Sequence, residues 1–447
     1  MKISRRDVLK FTTTLTAALF ATQSNASDTK DDMQPAKKTN LAPIQKTKGP
    51  RVVVVGGGWS GLSVAKYTKL FAPSADVVMV EQEEIFISCP LSNQWLVDKI
   101  DLEFLIHDYL RAARNHKYTY FHATATGVDK ENCILHTSEG DIPYDYLVLA
   151  PGIEYDYSFW TDDVALENRL RQEYPAAFRP GSEHVTLKEK IKNFKGGTFL
   201  MTVPGGNYRC LPAPYERACL VADYFKQKKL NAKIILLDEN NDITIKEHGF
   251  HTAIDELYKD YIVLESSAAI ESIDLEKKIV KTEFDEYHFD DASFYPHVRG
   301  GKLLEIAGVA KDSVYNRLEG DINVETYEAY GYSNIYISGD ARPMGFSKSG
   351  NTSLTEGQYV ARHIAAKINK QPKPQWTSPI TICVSAVSAY PERGIFIHSE
   401  YAYDKKMQRF SFATPVTNEI WKGETGIKNA KMIKGWAKSC YEEFFGK

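Results

Sequence analysis

Residues 51–61 read RVVVVGGGWSG, a β-prone run that leads directly into a glycine-rich turn. Residues 62–71 favour a helix, so the glycines stand in the strand–turn–helix context that a dinucleotide-binding motif needs. In such a motif Gly56 allows the tight turn, Gly58 lets the backbone approach a pyrophosphate, and Gly61 lets the helix pack on the strand. The start of the helix would then face the negative phosphates.

A second β-prone run, DVVMV at residues 76–80, ends at Glu81. An acid at this place typically binds the ribose hydroxyls of the nucleotide. A glycine-rich turn can occur without a nucleotide, but here both strands, the helix and the acid occur together. The sequence therefore predicts a dinucleotide site in an α/β domain.

Two later segments indicate which dinucleotide binds. Residues 146–152, YLVLAPG, resemble the A-T-G segment of two-dinucleotide flavoproteins, and residues 335–341, IYISGDA, resemble their late strand–G-D motif. In that motif the Asp binds the ribityl chain of FAD. The resemblance implies FAD as the cofactor, with contacts at four positions: Pro151, Gly152, Gly339 and Asp340.

A further helix is predicted over residues 356–368, shortly after Lys348. Its N-terminus would point toward the flavin ring and stabilise the reduced, anionic form. Lys348 is therefore a candidate cofactor-binding residue. A solvated loop lysine is the alternative, and the sequence favours neither.

The second half of the chain carries a similar strand without the glycine fingerprint. Residues 197–203, GTFLMTV, lead into PGGNYRC at 204–210, and prolines at 204, 212 and 214 stiffen the turn. A pyrophosphate would lack the close backbone approach that it needs. We therefore expect a second Rossmann-like domain without a nicotinamide site, so that electrons come from another donor.

The composition excludes several classes of function. The chain has six cysteines, too few and too scattered for a disulfide framework in 447 residues. No C-x-x-C-H or C-x-x-C pattern occurs, so no haem of its own, zinc or iron–sulfur site is predicted. With 55 basic and 58 acidic residues the net charge is −3, which does not indicate a nucleic-acid partner.

Three cysteine-containing segments carry a resemblance to a known family. Residues 88–93, SCPLSN, residues 209–218, RCLPAPYERA, and residues 379–386, PITICVSA, are similar to segments of flavocytochrome c sulfide dehydrogenases. The resemblance runs from about Arg51 to the C-terminus, and more distantly it extends to sulfide:quinone oxidoreductases. The chain departs from the family pattern at three positions: Pro90, Leu211 and Ala213.

The resemblance implies a role for each residue of the site. Cys89 would form a thioether to the 8α carbon of the flavin. Cys210 and Cys383 would form a redox disulfide over the flavin ring, with Glu216 nearby as a proton acceptor or electrostatic element. Hydrosulfide is a strong nucleophile that attacks a disulfide sulfur, so sulfide is the implied substrate. The electrons would leave one at a time to a c-type cytochrome subunit.

The other three cysteines are interpreted as small core residues: Cys133, Cys219 and Cys440. A small core residue is also the alternative interpretation of Cys89, Cys210 and Cys383.

The N-terminus indicates export. Residues 4–10, SRRDVLK, resemble the twin-arginine signal, and an apolar stretch over 11–22 is too short to span a bilayer. We expect a signal peptide over 1–26, a polar linker over 27–48 and a periplasmic mature protein with no transmembrane segment.

The C-terminus leaves the electron acceptor open. A helix is predicted over residues 430–445, with an apolar stripe and three lysines. It could lie on a membrane, as in a quinone-linked enzyme, or pack on its own domain. The export signal and the closer resemblance favour a cytochrome. Another sulfur compound as substrate is a further alternative.

These features predict an α/β fold with three parts. An FAD domain is expected over 49–162 and 303–372, and a second Rossmann-like domain over 163–302. An α+β domain over 373–447 would carry the second redox cysteine and the partner interface.

Overall fold

The first sheet extends from the predicted strand at residues 51–55. The computed structural model describes residues 40–404, 406–407 and 409–446, so the predicted signal peptide lies outside the described residues. Five strands pair in parallel, and Val53 is fully buried because both faces of the sheet are covered. In spatial order the strands are Ile335–Ile337, Tyr146–Leu149, Arg51–Val55, Asp76–Glu81 and Thr119–His122.

Two helices pack closely against each other beside this sheet, Trp59–Phe71 and Gly350–Ile368. Gly357 makes the close approach possible, because a Cβ there would lie 2.6 Å from the Ser60 carbonyl oxygen. The second helix begins at Gly350 rather than at residue 356, where the sequence placed its start. Ser349 caps it, since its side chain accepts a hydrogen bond from the backbone of the first turn.

A second parallel sheet forms the middle of the chain. Its strands in spatial order are Ile262–Glu265, Ala232–Asp238, Gly197–Val203 and Asp291–Ser293. The helices of this part are Ser182–Asn193, Ala213–Gln227 and Glu247–Leu257. The two parallel sheets confirm the predicted α/β class with two Rossmann-like parts.

The C-terminal part is an antiparallel sheet covered by a long helix, Gly423–Phe445. The helix begins at Gly423, before the predicted residue 430. The strands of the sheet are Thr381–Ala389, Glu392–Asp404 and Arg409–Asn418.

The apolar stripe of the C-terminal helix is buried against the protein. Tyr441 stacks on Trp59 with ring centroids 6.0 Å apart, and Phe445 packs on Phe86 at 5.2 Å. Of the two alternatives for this helix, the structure therefore shows packing on the chain itself. Among the described residues no helix is long and apolar enough to cross a membrane.

Shorter elements complete the fold. The remaining strands are Ile85–Ile87, Ile106–Asp108, Ala125–Asp129, Ile134–Thr137, Ile142–Pro143, Ile153–Asp156, Ile270–Asp274, Ile279–Thr282, Glu286–His288, His297–Gly300, Ala310–Lys311 and Glu319–Gly320. The remaining helical segments are Ser92–Leu96, Leu102–Phe104, Tyr109–His116, Tyr157–Phe159, Val164–Glu173, Leu303–Ile306 and Gly339–Ala341.

The described residues from 41 onward form one compact unit. Two residues of the predicted linker contact it, because Leu41 bridges to Asp141 and the Ala42 N–H donates to the Asp141 carbonyl at 3.0 Å. The predicted domain boundaries stay a prediction.

Candidate active site

One cleft of about 1290 Å³ collects most of the predicted site residues. It lies between the glycine-rich turn of the first sheet, the loop at residues 204–212 and the C-terminal sheet. Nine predicted residues line it: Gly58, Cys89, Gly152, Cys210, Glu216, Gly339, Asp340, Lys348 and Cys383. Four other predicted residues are not among those that line it: Gly56, Gly61, Glu81 and Pro151.

The glycine-rich turn has the shape of a pyrophosphate cradle. Gly56 has φ of +104°, and a Cβ there would lie 2.3 Å from the Ala150 carbonyl oxygen. A Cβ on Gly61 would lie 1.8 Å from the Gly56 carbonyl oxygen. At Gly58 a Cβ would meet no atom within 4 Å, because this residue faces the cleft. The turn therefore leaves room for a phosphate at the position where the motif requires it.

Glu81 stabilises this turn through backbone hydrogen bonds. Its carboxylate accepts hydrogen bonds from the backbone of Gly57 and, at 3.0 Å, from that of Glu83. Burial raises the pKa of Glu81, against the opposing effect of these N–H groups. The predicted ribose contact stays a prediction.

Asp340 is held in the cleft by an arginine that the sequence analysis did not single out. Arg209 donates from Nε to Asp340 Oδ2 at 2.6 Å and from Nη1 to the Phe178 carbonyl at 3.0 Å. Burial opposes ionisation of Asp340, but the charges of Arg209, Arg342 and Lys348 together outweigh it and lower the pKa of Asp340. The signal in the sequence was the position of Arg209, directly before Cys210 in the most specific segment.

Lys348 is buried and paired, so it is not a solvated loop lysine. Its Nζ lies 2.7 Å from Glu319 Oε1 and donates to the Asp340 carbonyl at 2.6 Å. The ammonium ties the loop before helix Gly350–Ile368 to the segment that carries Asp340. The first turn of that helix lines the cleft, as expected for a helix N-terminus that faces the cofactor.

Cys210 and Cys383 meet in the cleft as free thiols. Cys210 lies in the loop after strand Gly197–Val203 with φ of +59°, a conformation that costs about 1 kcal/mol for a residue other than glycine. The two thiol groups interact closely, and this interaction raises the pKa of Cys210. The same interaction, together with the neighbouring charge of Lys246, lowers the pKa of Cys383.

Lys246 stands beside this pair, and nothing in the sequence singled it out. Its Nζ lies 3.8 Å from Cys383 Sγ and donates to Ser385 Oγ at 2.6 Å. The residue occupies the turn before helix Glu247–Leu257 and is 4% exposed. The two partners are 137 residues apart in the chain, so only the tertiary structure brings them together.

Glu216 lies in the first turn of helix Ala213–Gln227 and is buried. The side chains of Ser385 and Asn93 lie near its carboxyl group and act to lower its pKa. Burial raises the pKa of Glu216 to about 8, against the opposing charge of Lys246. At neutral pH the carboxyl therefore holds a proton, so it can donate one as well as accept one.

The Glu216→Gln variant is expected to be more stable than the wild type at about pH 8 and equally stable at about pH 5. Because the folded-state pKa is raised to about 8, the folded protein binds a proton that the unfolded chain has already lost. This group therefore lowers the free energy of unfolding as pH rises, by at most about 1.4 kcal/mol per pH unit. Urea denaturation of both proteins at the two pH values measures the difference, and an equal difference at both would contradict it.

Cys89 lies in the same cleft, with Sγ 3.7 Å from the Phe178 carbonyl oxygen. Burial raises the pKa of the thiol to about 11, against the opposing charge of Arg209. The remaining cysteines lie away from the cleft. Cys219 and Cys440 are buried and Cys133 is half-buried, which agrees with their interpretation as packing residues.

The loop at 204–212 takes the place of a second glycine-rich turn. The Asn207 side-chain amide donates to the carbonyls of Met344 at 3.2 Å and Phe346 at 3.1 Å. A Cβ on Gly206 would lie 3.1 Å from the Tyr315 carbonyl oxygen. The loop is thus docked on the FAD-binding part and presents Cys210 to the cleft.

Two protein families match parts of the chain. The central region of the sulfide dehydrogenase (flavocytochrome c) flavoprotein chain matches residues 184–294, and pyridine nucleotide-disulphide oxidoreductase matches residues 50–165. The first match contains Cys210, Glu216 and Lys246, and the second contains the glycine-rich turn.

Individual proteins show the same likeness. The chain is 54% identical over 43 residues to the sulfide dehydrogenase (flavocytochrome c) flavoprotein chain of Chlorobaculum thiosulfatiphilum, covering 90% of that sequence and 10% of this chain. It is 28% identical over 192 residues to the mitochondrial sulfide:quinone oxidoreductase of Dictyostelium discoideum. That alignment covers 42% of this chain and 41% of the relative, so it spans less than half of the relative's length.

A solved structure shares the fold. The sulfide:quinone oxidoreductase of Aquifex aeolicus superposes with a TM-score of 0.70 at 15% identity, covering 89% of this chain and 93% of that one. The fold and the open cradle at Gly58 fit FAD as the cofactor of an oxidoreductase. The chain therefore belongs to the family of flavocytochrome c sulfide dehydrogenase flavoprotein chains, which are sulfide:quinone oxidoreductase-like flavoproteins.

Proposed function

We propose that the protein oxidises sulfide through Cys210 and Cys383 and passes the electrons from FAD to a c-type cytochrome. The observation that carries this proposal is the contact of the two thiols in the cofactor cleft. Two cysteines 173 positions apart in a chain with few cysteines meet where an oxidoreductase needs its reactive groups (383 − 210 = 173).

The oxidised pair is the electrophile in this proposal. Hydrosulfide forms a bond to one sulfur of the Cys210–Cys383 disulfide, the disulfide bond breaks, and its electron pair stays on the other sulfur. One cysteine then carries a persulfide and the other is a thiolate. Glu216 is placed to exchange the proton that hydrosulfide brings, because burial raises the pKa of its carboxyl group to about 8.

The cleft supplies the groups that would hold FAD. The backbone at Gly58 would bind the pyrophosphate, Asp340 the ribityl chain, and the first turn of helix Gly350–Ile368 would face the ring. When bound, a flavin accepts two electrons together and releases them one at a time. These residues would orient the cofactor with its ring in the cleft that Cys210 and Cys383 line.

A soluble cytochrome is the acceptor that we favour over a quinone. The apolar stripe of helix Gly423–Phe445 is used for packing on Trp59 and Phe86, so it is not free to lie on a bilayer. The twin-arginine-like segment at residues 4–10 supports a periplasmic location, where c-type cytochromes can act as partners.

The acceptor is tested by comparing sulfide-dependent reduction of cytochrome c with that of a soluble ubiquinone analogue. We expect cytochrome c reduction to be the faster of the two at equal sulfide. Faster reduction of the quinone analogue would contradict the cytochrome assignment and favour a quinone-linked enzyme.

We further propose that FAD is bound covalently through Cys89. Cys89 lines the cleft that would hold the flavin, and the resemblance of residues 88–93 implies a thioether there. Intact mass of the acid-denatured protein should exceed the polypeptide mass by one FAD. The Cys89→Ser variant should show the polypeptide mass alone. A wild-type protein that releases all of its flavin on denaturation would contradict the covalent bond.

A further inference from the structure

Lys246 is a buried cation without a carboxylate partner in the described part of the chain. Its Nζ contacts only neutral oxygens and a sulfur: Ser385 Oγ at 2.6 Å, the Cys383 carbonyl oxygen at 3.3 Å and Cys383 Sγ at 3.8 Å. Two other almost fully buried cations are paired, Lys348 with Glu319 and Arg342 with Glu356, whereas Arg217 donates only to neutral oxygens. A buried charge is costly unless it is compensated, so an anion near Lys246 would stabilise its ammonium.

The groups that face Cys383 identify that anion. The Cys210 thiol lies beside the Cys383 sulfur, Ser385 lies on the same strand as Cys383, and Glu216 approaches from helix Ala213–Gln227. Burial raises the pKa of Glu216 to about 8, so its carboxyl group is mostly neutral at pH 7. An anionic sulfur on Cys383 is therefore the group that can compensate the ammonium.

We infer that Lys246 is a further catalytic residue, whose ammonium carries the counter-charge for the anionic sulfur that forms at Cys383 each time the Cys210–Cys383 bond opens. When hydrosulfide bonds to Cys210, the electron pair of the disulfide goes to Cys383 as a thiolate. When it bonds to Cys383, the pair goes to Cys210 as a thiolate, which takes the proton of the persulfide on Cys383. In both cases a negative sulfur faces Lys246.

The backbone at Lys246 has a conformation that is unusual for a lysine. Lys246 has φ of +56°, which is unfavourable by about 1 kcal/mol for a residue other than glycine. The ammonium also approaches the ring of Phe250, 5.9 Å from its centroid. The turn thus directs a lysine into the protein, where the Cys383 sulfur is within reach.

The test is a titration of Cys383 in the reduced holoprotein with iodoacetamide, followed by peptide mass spectrometry. The alkylation rate of Cys383 is measured as a function of pH. Lys246→Met should raise the midpoint of this pH profile by about one to three pH units, because an opposite charge at this distance favours the ionised thiolate by that amount. The rate at neutral pH should fall at least about tenfold. Lys246→Arg should keep the midpoint close to that of the wild type, since it keeps the charge.

Lys188→Met is the matched control. Lys188 is also a buried lysine, but its ammonium pairs with Asp98 at 2.6 Å. Loss of the Lys188 ammonium should leave the pH midpoint of Cys383 alkylation unchanged. If Lys246→Met is not recovered folded, Lys246→Gln serves as the neutral variant.

An unchanged midpoint in the neutral variant would overturn the inference. An equal shift in Lys246→Arg would overturn it too, because the effect would then come from shape and not from charge. The inference deepens the proposed sulfide oxidation, but the titration uses no sulfide and no acceptor. It can therefore succeed where sulfide oxidation fails, and the two failures are distinguishable.

Discussion

Replacing Cys210 by serine should lower sulfide-dependent turnover by at least about a thousandfold, because the variant cannot form the disulfide that hydrosulfide attacks. Cys383→Ser should lower it by the same order, and the double variant by no more than either single one, since the two sulfurs act as a unit. Turnover is measured as cytochrome c reduction after addition of sulfide. The bound flavin is quantified for each variant so that loss of cofactor is not mistaken for loss of chemistry.

Cys133→Ser is the matched control for these variants. Cys133 is half-buried like Cys210 and Cys383, but it lies outside the cleft. We expect this variant to keep its turnover. If either site variant retains more than about a tenth of wild-type turnover with its flavin bound, the disulfide route is contradicted.

Gly58→Val should fold and lose FAD. Gly58 has φ of −68° and ψ of −176°, an extended conformation that valine adopts readily, and a Cβ there meets no protein atom within 4 Å. The added side chain instead occupies the space that the pyrophosphate needs. Loss of one or two charge-assisted hydrogen bonds to phosphate, about 1.5–3 kcal/mol each, lowers the affinity for FAD about a hundredfold.

The glycine variants are made in the Cys89→Ser background, so that a covalent bond cannot retain the flavin. The measurement is the ratio of flavin to protein after purification, together with the melting temperature of the flavin-free forms. Gly435→Val is the matched control, because its Cβ position is also open but lies on the exposed side of helix Gly423–Phe445. It should keep its flavin. Gly56→Ala should behave differently from both and destabilise the fold, since its Cβ would lie 2.3 Å from the Ala150 carbonyl oxygen. Full flavin content in the Gly58→Val variant would contradict the proposal that the turn at Gly58 binds the pyrophosphate of FAD.

The parts of the fold that follow local rules could be predicted from the sequence. The strand at 51–55 and the glycine-rich turn combine a β-prone run, a helix and fixed glycine roles, and the structure has them where the sequence placed them. Helix ends were less predictable. The helix that starts at Gly350 is capped by Ser349, and its first turn is polar and glycine-containing, so no apolar periodicity marked its start.

The electrostatics of the site depended on contacts that no local pattern encodes. Lys246 and Cys383 lie 137 residues apart in the chain. Lys348, in the loop before helix Gly350–Ile368, pairs with Glu319 in the short strand Glu319–Gly320. The sequence motifs located the sulfur atoms and the cofactor cradle. The charges around them followed only from the tertiary packing, which is also what shifts the pKa of Glu216 upward.

Anaerobic titration of the oxidised holoprotein with sulfide, followed by the visible absorption of the flavin, shows whether electrons from sulfide reach the flavin. We expect about one equivalent of sulfide to bleach the flavin, NADH to leave it oxidised, and oxidised cytochrome c to restore the absorption. A flavin that sulfide leaves oxidised and NADH reduces would contradict the proposed sulfide oxidation, because electrons would then enter through a nicotinamide and not through Cys210 and Cys383.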